Sequence, residues 1–153
     1  MSRRILSHCL SLPGAFLLVG LSLIVAGPTV AQAPGVTEES FTAEVIEASK
    51  HTAVFVNLYA VWCRPCRPLF QKLETAAAGQ DGRVKLVSLD IDSNPRTVEA
   101  ILMMLDQQDI KRPPNMQIPA VVAFRDGKPM GLMIGAHYDI EALREFFDKN
   151  TGS

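Results

Sequence analysis

Beyond residue 33 the chain alternates between short apolar runs and longer stretches whose apolar residues return every three or four positions. Residues 53–60 (AVFVNLYA) are almost continuously apolar and rich in β-branched and aromatic side chains. Such a run suits a strand in a sheet covered on both faces. Residues 84–91, 120–124 and 129–134 read as three further strands. Asp126-Gly127, between the last two, is a dipeptide suited to a tight hairpin turn.

Helical periodicity fills the spaces between these runs. Phe41, Val45, Ile46 and Ala48 place a helix over 40–49, with Thr37 or Ser40 available to cap it. A second helix is expected over 63–78, with Leu69, Phe70 and Leu73 inward. Asp92-Ser93-Asn94-Pro95 is a turn that opens a third, where Val98, Ile101, Leu102 and Leu105 share one face. Residues 107–117 are polar, contain Pro113-Pro114 and read as a loop. Gly135 breaks the last strand, and Asp139 can cap a final helix with Ile140, Leu143, Phe146 and Phe147 inward. Residues 34–37 read as a short leader. A strand–helix–strand unit demands a parallel pair, and the hairpin adds antiparallel strands, so the class is α/β.

The first 33 residues have a different character. Arg3 and Arg4 precede an apolar run that breaks at Pro13-Gly14, resumes over 15–26 and stops at Gly27-Pro28. Ala31-Gln32-Ala33 then places small residues where a signal peptidase reads. This pattern predicts a signal peptide over 1–33 and a working domain over 34–153. The rival is an uncleaved anchor, which would make the membrane a partner; the unbroken stretch is short against the about 20 apolar residues a span needs. In both cases the domain is expected outside the cytoplasm, in a periplasm or its equivalent. The net charge is −1, so no electrostatic argument favours nucleic acid or an anionic membrane surface.

Cys9 lies in the N-terminal segment, which leaves Cys63 and Cys66 as the only cysteines of the domain. One pair is too few for a disulfide scaffold, so redox or metal chemistry is the question. The pair follows a buried strand and opens a helix. The first turn of a helix offers unpaired N–H groups and the positive end of its dipole, both of which stabilise a thiolate. Cys63 is expected at the helix entrance, exposed, as the nucleophile. Cys66, nearly one turn on, is expected to resolve the mixed disulfide formed at Cys63. Pro65 suits a first helical turn, and Arg64 adds a cation beside Cys63. Trp62 either forms an apolar shoulder for a docked peptide or packs in the core.

From these residues the chain resembles the thioredoxin family over nearly the whole of 34–153. The resemblance rests on Ala60-Val61-Trp62-Cys63-Arg64-Pro65-Cys66, Asp90-Ile91-Asp92 with Asn94-Pro95, Ile118-Pro119, Asp126-Gly127-Lys128, and Gly135-Ala136. It implies a thioredoxin-like fold, a central mixed sheet of about four or five strands flanked by about four helices. It implies thiol–disulfide exchange on protein cysteines, with no cofactor beyond the redox-active Cys63–Cys66 disulfide and no metal. The family places a cis-proline opposite the pair, so Pro119 would shape the groove and Ile118 would bond an extended substrate through its main chain. Gly135 would lie beside that groove, or is a simple turn glycine.

Three departures from the family pattern stand out. The family's buried aspartate is replaced by Asn57, and its lysine partner by Ser88, which is expected to alter the chemistry of the resolving thiol. The segment between Pro95 and Ile118 is about a dozen residues longer than usual, a length that serves partner selection or a tolerated loop. The usual first strand is short or missing. Pro65 resembles the reducing members, near about −270 mV, whereas Arg64 favours a higher potential. The expectation is a reductant or exchange protein supplied by a membrane thiol-electron transducer, with an oxidase or isomerase as alternative. Less favoured are a copper chaperone using the thiols with Met103, Met104, Met116, Met130 or Met133, and a redox-silent peptide binder.

Overall fold

The computed structural model describes residues 33–152; the expected signal segment therefore lies almost wholly outside the described residues. Five strands form one sheet in the order β1-β3-β2-β4-β5, with β1 Gly35–Val36, β2 Ala53–Tyr59, β3 Val84–Asp90, β4 Ala120–Arg125 and β5 Lys128–Ile134. β3 runs parallel to both β1 and β2, whereas β4 and β5 are antiparallel. Three helices follow the expected positions: α1 Cys66–Ala78, α2 Pro95–Gln107 and α3 Ile140–Thr151. The sheet of five strands and its helices are those of a thioredoxin-like α/β fold.

β2 is central because both its faces are apolar. Val54, Val56 and Leu58 point to one side, where they meet Val45, Ile101 and Leu105 from the N-terminal helical segment and α2. Phe55 points to the other, where Leu69 and Leu73 of α1 and Leu143 and Phe147 of α3 cover it. The Phe55 and Phe147 rings lie 4.4 Å apart. Asn57 shares the Phe55 side by the same alternation, and so falls under the start of α1.

Several boundaries differ from expectation. The predicted helix over 40–49 winds as a π-helix over Thr42–Glu47 and then as a 3-10 turn over Ala48–Lys50. Neither Thr37 nor Ser40 caps it; their hydroxyls and backbone N–H groups bond each other instead. The segment read as a leader contains β1, a two-residue strand tied at Gly35↔Ser88 and Val36↔Leu89, with Val36 buried. The first strand is therefore short, not missing.

The long connection after α2 is held internally. Arg112 binds the Asp106 carboxylate through two nitrogens, at 2.9 and 2.6 Å, and also donates to the carbonyls of Pro113 and Pro114. Ile110 and Met116 pack against the core, which anchors a loop that would otherwise carry a large ordering cost. Asp126 and Gly127 both have positive φ, 51° and 76°, as a tight hairpin requires.

Asp139 caps α3 by accepting from the Ala142 N–H at 2.9 Å. Asp139→Ala should cost about 1 kcal/mol, and Phe55→Ala about 3–5 kcal/mol because Phe55 is fully enclosed. Urea denaturation measures both; equal costs would contradict the central place given to Phe55.

Candidate active site

β2 ends at Tyr59, and the chain then turns sharply into α1. The Cys63 N–H donates to the Ala60 carbonyl at 3.0 Å, and the Cys66 N–H donates to the Cys63 carbonyl at 3.2 Å. These two bonds bring the cysteines together as a disulfide with Cα atoms 5.4 Å apart. The helix begins at Cys66, three residues later than expected. Pro65 is the half-helical residue before it, with φ −74° and no side-chain cap. The reason is local: the Cys66 N–H closes a single turn onto the Cys63 carbonyl, and the regular helical bonds begin only after it. Cys63 thus sits just outside the helix mouth, where the first-turn N–H groups have no side-chain partner. Pro68 falls within that first turn and removes no helical hydrogen bond.

Cys63 is not the exposed residue expected. It is 7% exposed and Cys66 4%, and both pack with Ala60, Tyr59, Ile91 and Ile118. The turn tucks Cys63 beneath its neighbours, while Val61 and Trp62 project outward at 88% and 65% exposure. Trp62 is therefore not a core residue. Its Nε1–H donates to Asp92 Oδ2 at 2.7 Å. Asp92 belongs to the Asp90-Ile91-Asp92 signature, yet nothing in the sequence alone marks it as the anchor of Trp62. Arg64 is exposed and makes no hydrogen bond or ion pair among the described residues.

The Ile118–Pro119 peptide is cis, and Ile118 packs against the cysteines. The Pro119 carbonyl accepts from the Gly135 N–H at 2.8 Å, which brings Gly135 to the same corner. Gly135 has φ +106°, and a Cβ there would lie 2.9 Å from His137 Nδ1. Both the backbone and the neighbouring ring therefore call for glycine. The Ile118 N–H and carbonyl make no backbone hydrogen bond among the described residues.

On the β3 side of the pair lies a cleft of about 400 Å³, lined by Asn57, Ser88, Tyr59, Phe70 and Arg67 together with the two cysteines. Asn57 is 2% exposed, and its Nδ2 donates weakly to Ser88 Oγ at 3.4 Å. Its Oδ1 has no partner. Register explains the pairing, since Asn57 and Ser88 stand opposite each other on β2 and β3. Arg67 and Tyr59 were not marked by the sequence, and Phe70 was read only as an inward helix residue, because only the fold turns them toward the pair.

None of the five methionines lines this cleft: Met103 and Met130 are exposed, and Met104, Met116 and Met133 pack against the cores. Among the described residues no group of three or more His, Cys, Asp or Glu is placed to hold a metal ion. His137 stacks on Tyr138 with ring centroids 4.1 Å apart, away from any ligand set.

Comparison with known proteins agrees with this architecture. A family model described as Thioredoxin matches residues 32–149. A thioredoxin of Mycolicibacterium smegmatis is 32% identical over 115 residues, covering 74% of this chain and 90% of that protein. One from Staphylococcus epidermidis is 30% identical over 115 residues, covering 75% and 94% respectively. A thioredoxin of Mycobacterium tuberculosis is 30% identical over 113 residues, covering 74% and 85%.

Asp92→Ala should release Trp62, the only tryptophan, without unfolding the protein. The expected signs are a shifted emission, lower steady-state anisotropy and a stability loss of no more than about 1.5 kcal/mol. Unchanged fluorescence would show that Asp92 does not hold the ring.

Proposed function

This chain belongs to the thioredoxin family and is a thiol–disulfide oxidoreductase acting on protein disulfides; from that premise we propose that it works as a reductant or exchange protein outside the cytoplasm. The observation that carries the reading is the Cys63–Cys66 disulfide set at a helix mouth beside Ile118, whose main-chain groups are unengaged.

In the reduced protein, Cys63 is the nucleophile. Its thiolate is favoured by the first-turn N–H groups and dipole of α1, with Arg64 as a neighbouring cation. The thiolate attacks one sulfur of a substrate disulfide and expels the other as a thiolate. An extended substrate segment bonds to the Ile118 main chain, with Pro119 and Gly135 shaping the groove and Trp62 as an apolar shoulder. The Cys66 sulfur then attacks Cys63 Sγ, the mixed disulfide breaks, and the substrate leaves as a dithiol. Cys66 must lose its proton for this step. Asn57, an amide, cannot take that proton as a carboxylate would, so resolution is the step in which this chain departs from the family pattern.

The N-terminal pattern of a charged start, an apolar run and Ala31-Gln32-Ala33 supports export, with an uncleaved anchor as the alternative. Outside the cytoplasm a reductant needs a supply of electrons, for which a membrane thiol transducer is the proposed partner. Pro65 supports a reducing potential and Arg64 an intermediate one. A measured value above about −150 mV would instead identify an oxidase.

Insulin reduction by the wild type should be abolished in Cys63→Ser, and retained turnover in that variant would remove Cys63 from its role. Cys66→Ala expressed in the native host should accumulate mixed disulfides on Cys63, whose partners mass spectrometry identifies. Asn57→Asp should change the rate of mixed-disulfide resolution by roughly tenfold or more, the scale of a positioned proton acceptor; an unchanged rate would sink the role given to Asn57.

A further inference from the structure

The cleft beside the disulfide is separate from the peptide groove. Ile118, Pro119, Gly135 and Trp62 do not line it. Ile118 and Pro119 lead into β4 on one side of β2, whereas Asn57 and Ser88 open the cleft on the side where β2 pairs with β3. Its floor carries a buried amide oxygen, Asn57 Oδ1, that accepts no hydrogen bond. Such a group is costly until something donates to it. Its wall contains both cysteines, and its rim carries Arg67, an exposed cation with no ion pair among the described residues. Phe70 adds an apolar surface.

A hydrogen-bond acceptor, a redox-active sulfur pair and a cation around one space of about 400 Å³ describe their complement. We propose that this cleft binds a small aminothiol bearing a carboxylate, and that such a thiol reduces the Cys63–Cys66 disulfide from the β3 side. The carboxylate pairs with Arg67, the amine donates to Asn57 Oδ1, and the thiolate sulfur reaches Cys66. A bond forms between the incoming sulfur and Cys66 Sγ while the Cys63–Cys66 bond breaks. The electron pair leaves on Cys63 Sγ, the better leaving group because the helix mouth stabilises its thiolate. A second thiolate attacks the small-molecule sulfur of the mixed disulfide. It releases Cys66 as a thiolate, which takes a proton from water. Two thiols become one small disulfide, and the protein disulfide becomes a dithiol. The inference rests on the redox reading of the pair and supplies a soluble electron source beside the membrane transducer.

The test uses the oxidised protein and three probes: L-cysteine, cysteamine (no carboxylate) and 3-mercaptopropionate (no amine). Reduction is followed by mass after thiol labelling, and rate constants are expressed per thiolate. L-Cysteine should exceed cysteamine by roughly two- to fivefold, the scale of an exposed ion pair. Arg67→Gln should bring that ratio to about one, and Arg67→Glu should invert it. 3-Mercaptopropionate should fall below L-cysteine; equality of the two overturns the contact with Asn57. A wild-type ratio of one, or a ratio that neither Arg67 variant moves, overturns the site. Dithiothreitol, which is uncharged, separates the two levels of the argument. If it loads the wild type for insulin reduction while the cysteine preference is absent, only the cleft proposal fails. If it cannot reduce the pair, the redox reading fails with it.

Discussion

The structure depends on one strand being enclosed on every side. β2 bonds to β3 along one edge and to β4 along the other, and its two faces are covered by different helices. Every residue of β2 up to Leu58 is buried. Such a strand has no freedom of register, because a slip by one residue would exchange its two faces. The positions of the groups at its end are therefore inherited from its core. Leu58 pairs with Ala120, which brings the preceding Ile118 and Pro119 beside the turn that carries Cys63. Asn57 pairs with Ser88, which places two small polar side chains under the same turn.

The site combines tight backbone control with an incompletely satisfied interior. Two hydrogen bonds hold the turn into α1, and the cis peptide at Ile118–Pro119 holds the opposite wall. Between them, Asn57 keeps an unpartnered oxygen at a depth where polar groups are ordinarily paired. An amide and a hydroxyl, those of Asn57 and Ser88, occupy these buried positions, so the cleft beside the sulfurs is lined there by neutral groups. On the β4 side the sulfurs are flanked by Ile118. On the β3 side the cleft beside them is lined by side chains, among them Asn57, Ser88 and Arg67.

Much of this was legible in the chain. Hydrophobic period alone located β2, β3 and the β4–β5 hairpin, because a buried strand must be apolar on both faces and a tight turn needs residues that accept positive φ. The Cys63–Cys66 pair was readable because few residue types perform that task, and the proline before β4 was marked by the family resemblance. The helix start at Cys66, the π-wound segment at Thr42–Glu47 and the two-residue β1 were not, since ends of elements are set by competing hydrogen bonds of similar strength. The exposure of Trp62 and its bond to Asp92 join residues thirty positions apart, and no local pattern encodes that.

The amino-acid sequence by itself determined the class of fold and the position of the reactive sulfur pair. These follow from periodicity, spacing and side-chain chemistry, which are properties of the chain before it folds. Tertiary structure alone decided how far Cys63 is covered, which carboxylate holds Trp62, and that Arg67 and Asn57 face one cleft. Those are relations between segments distant in the chain. They come into being only when β2, β3 and α1 pack, because solvent exclusion and the directions of side chains are set jointly by all three.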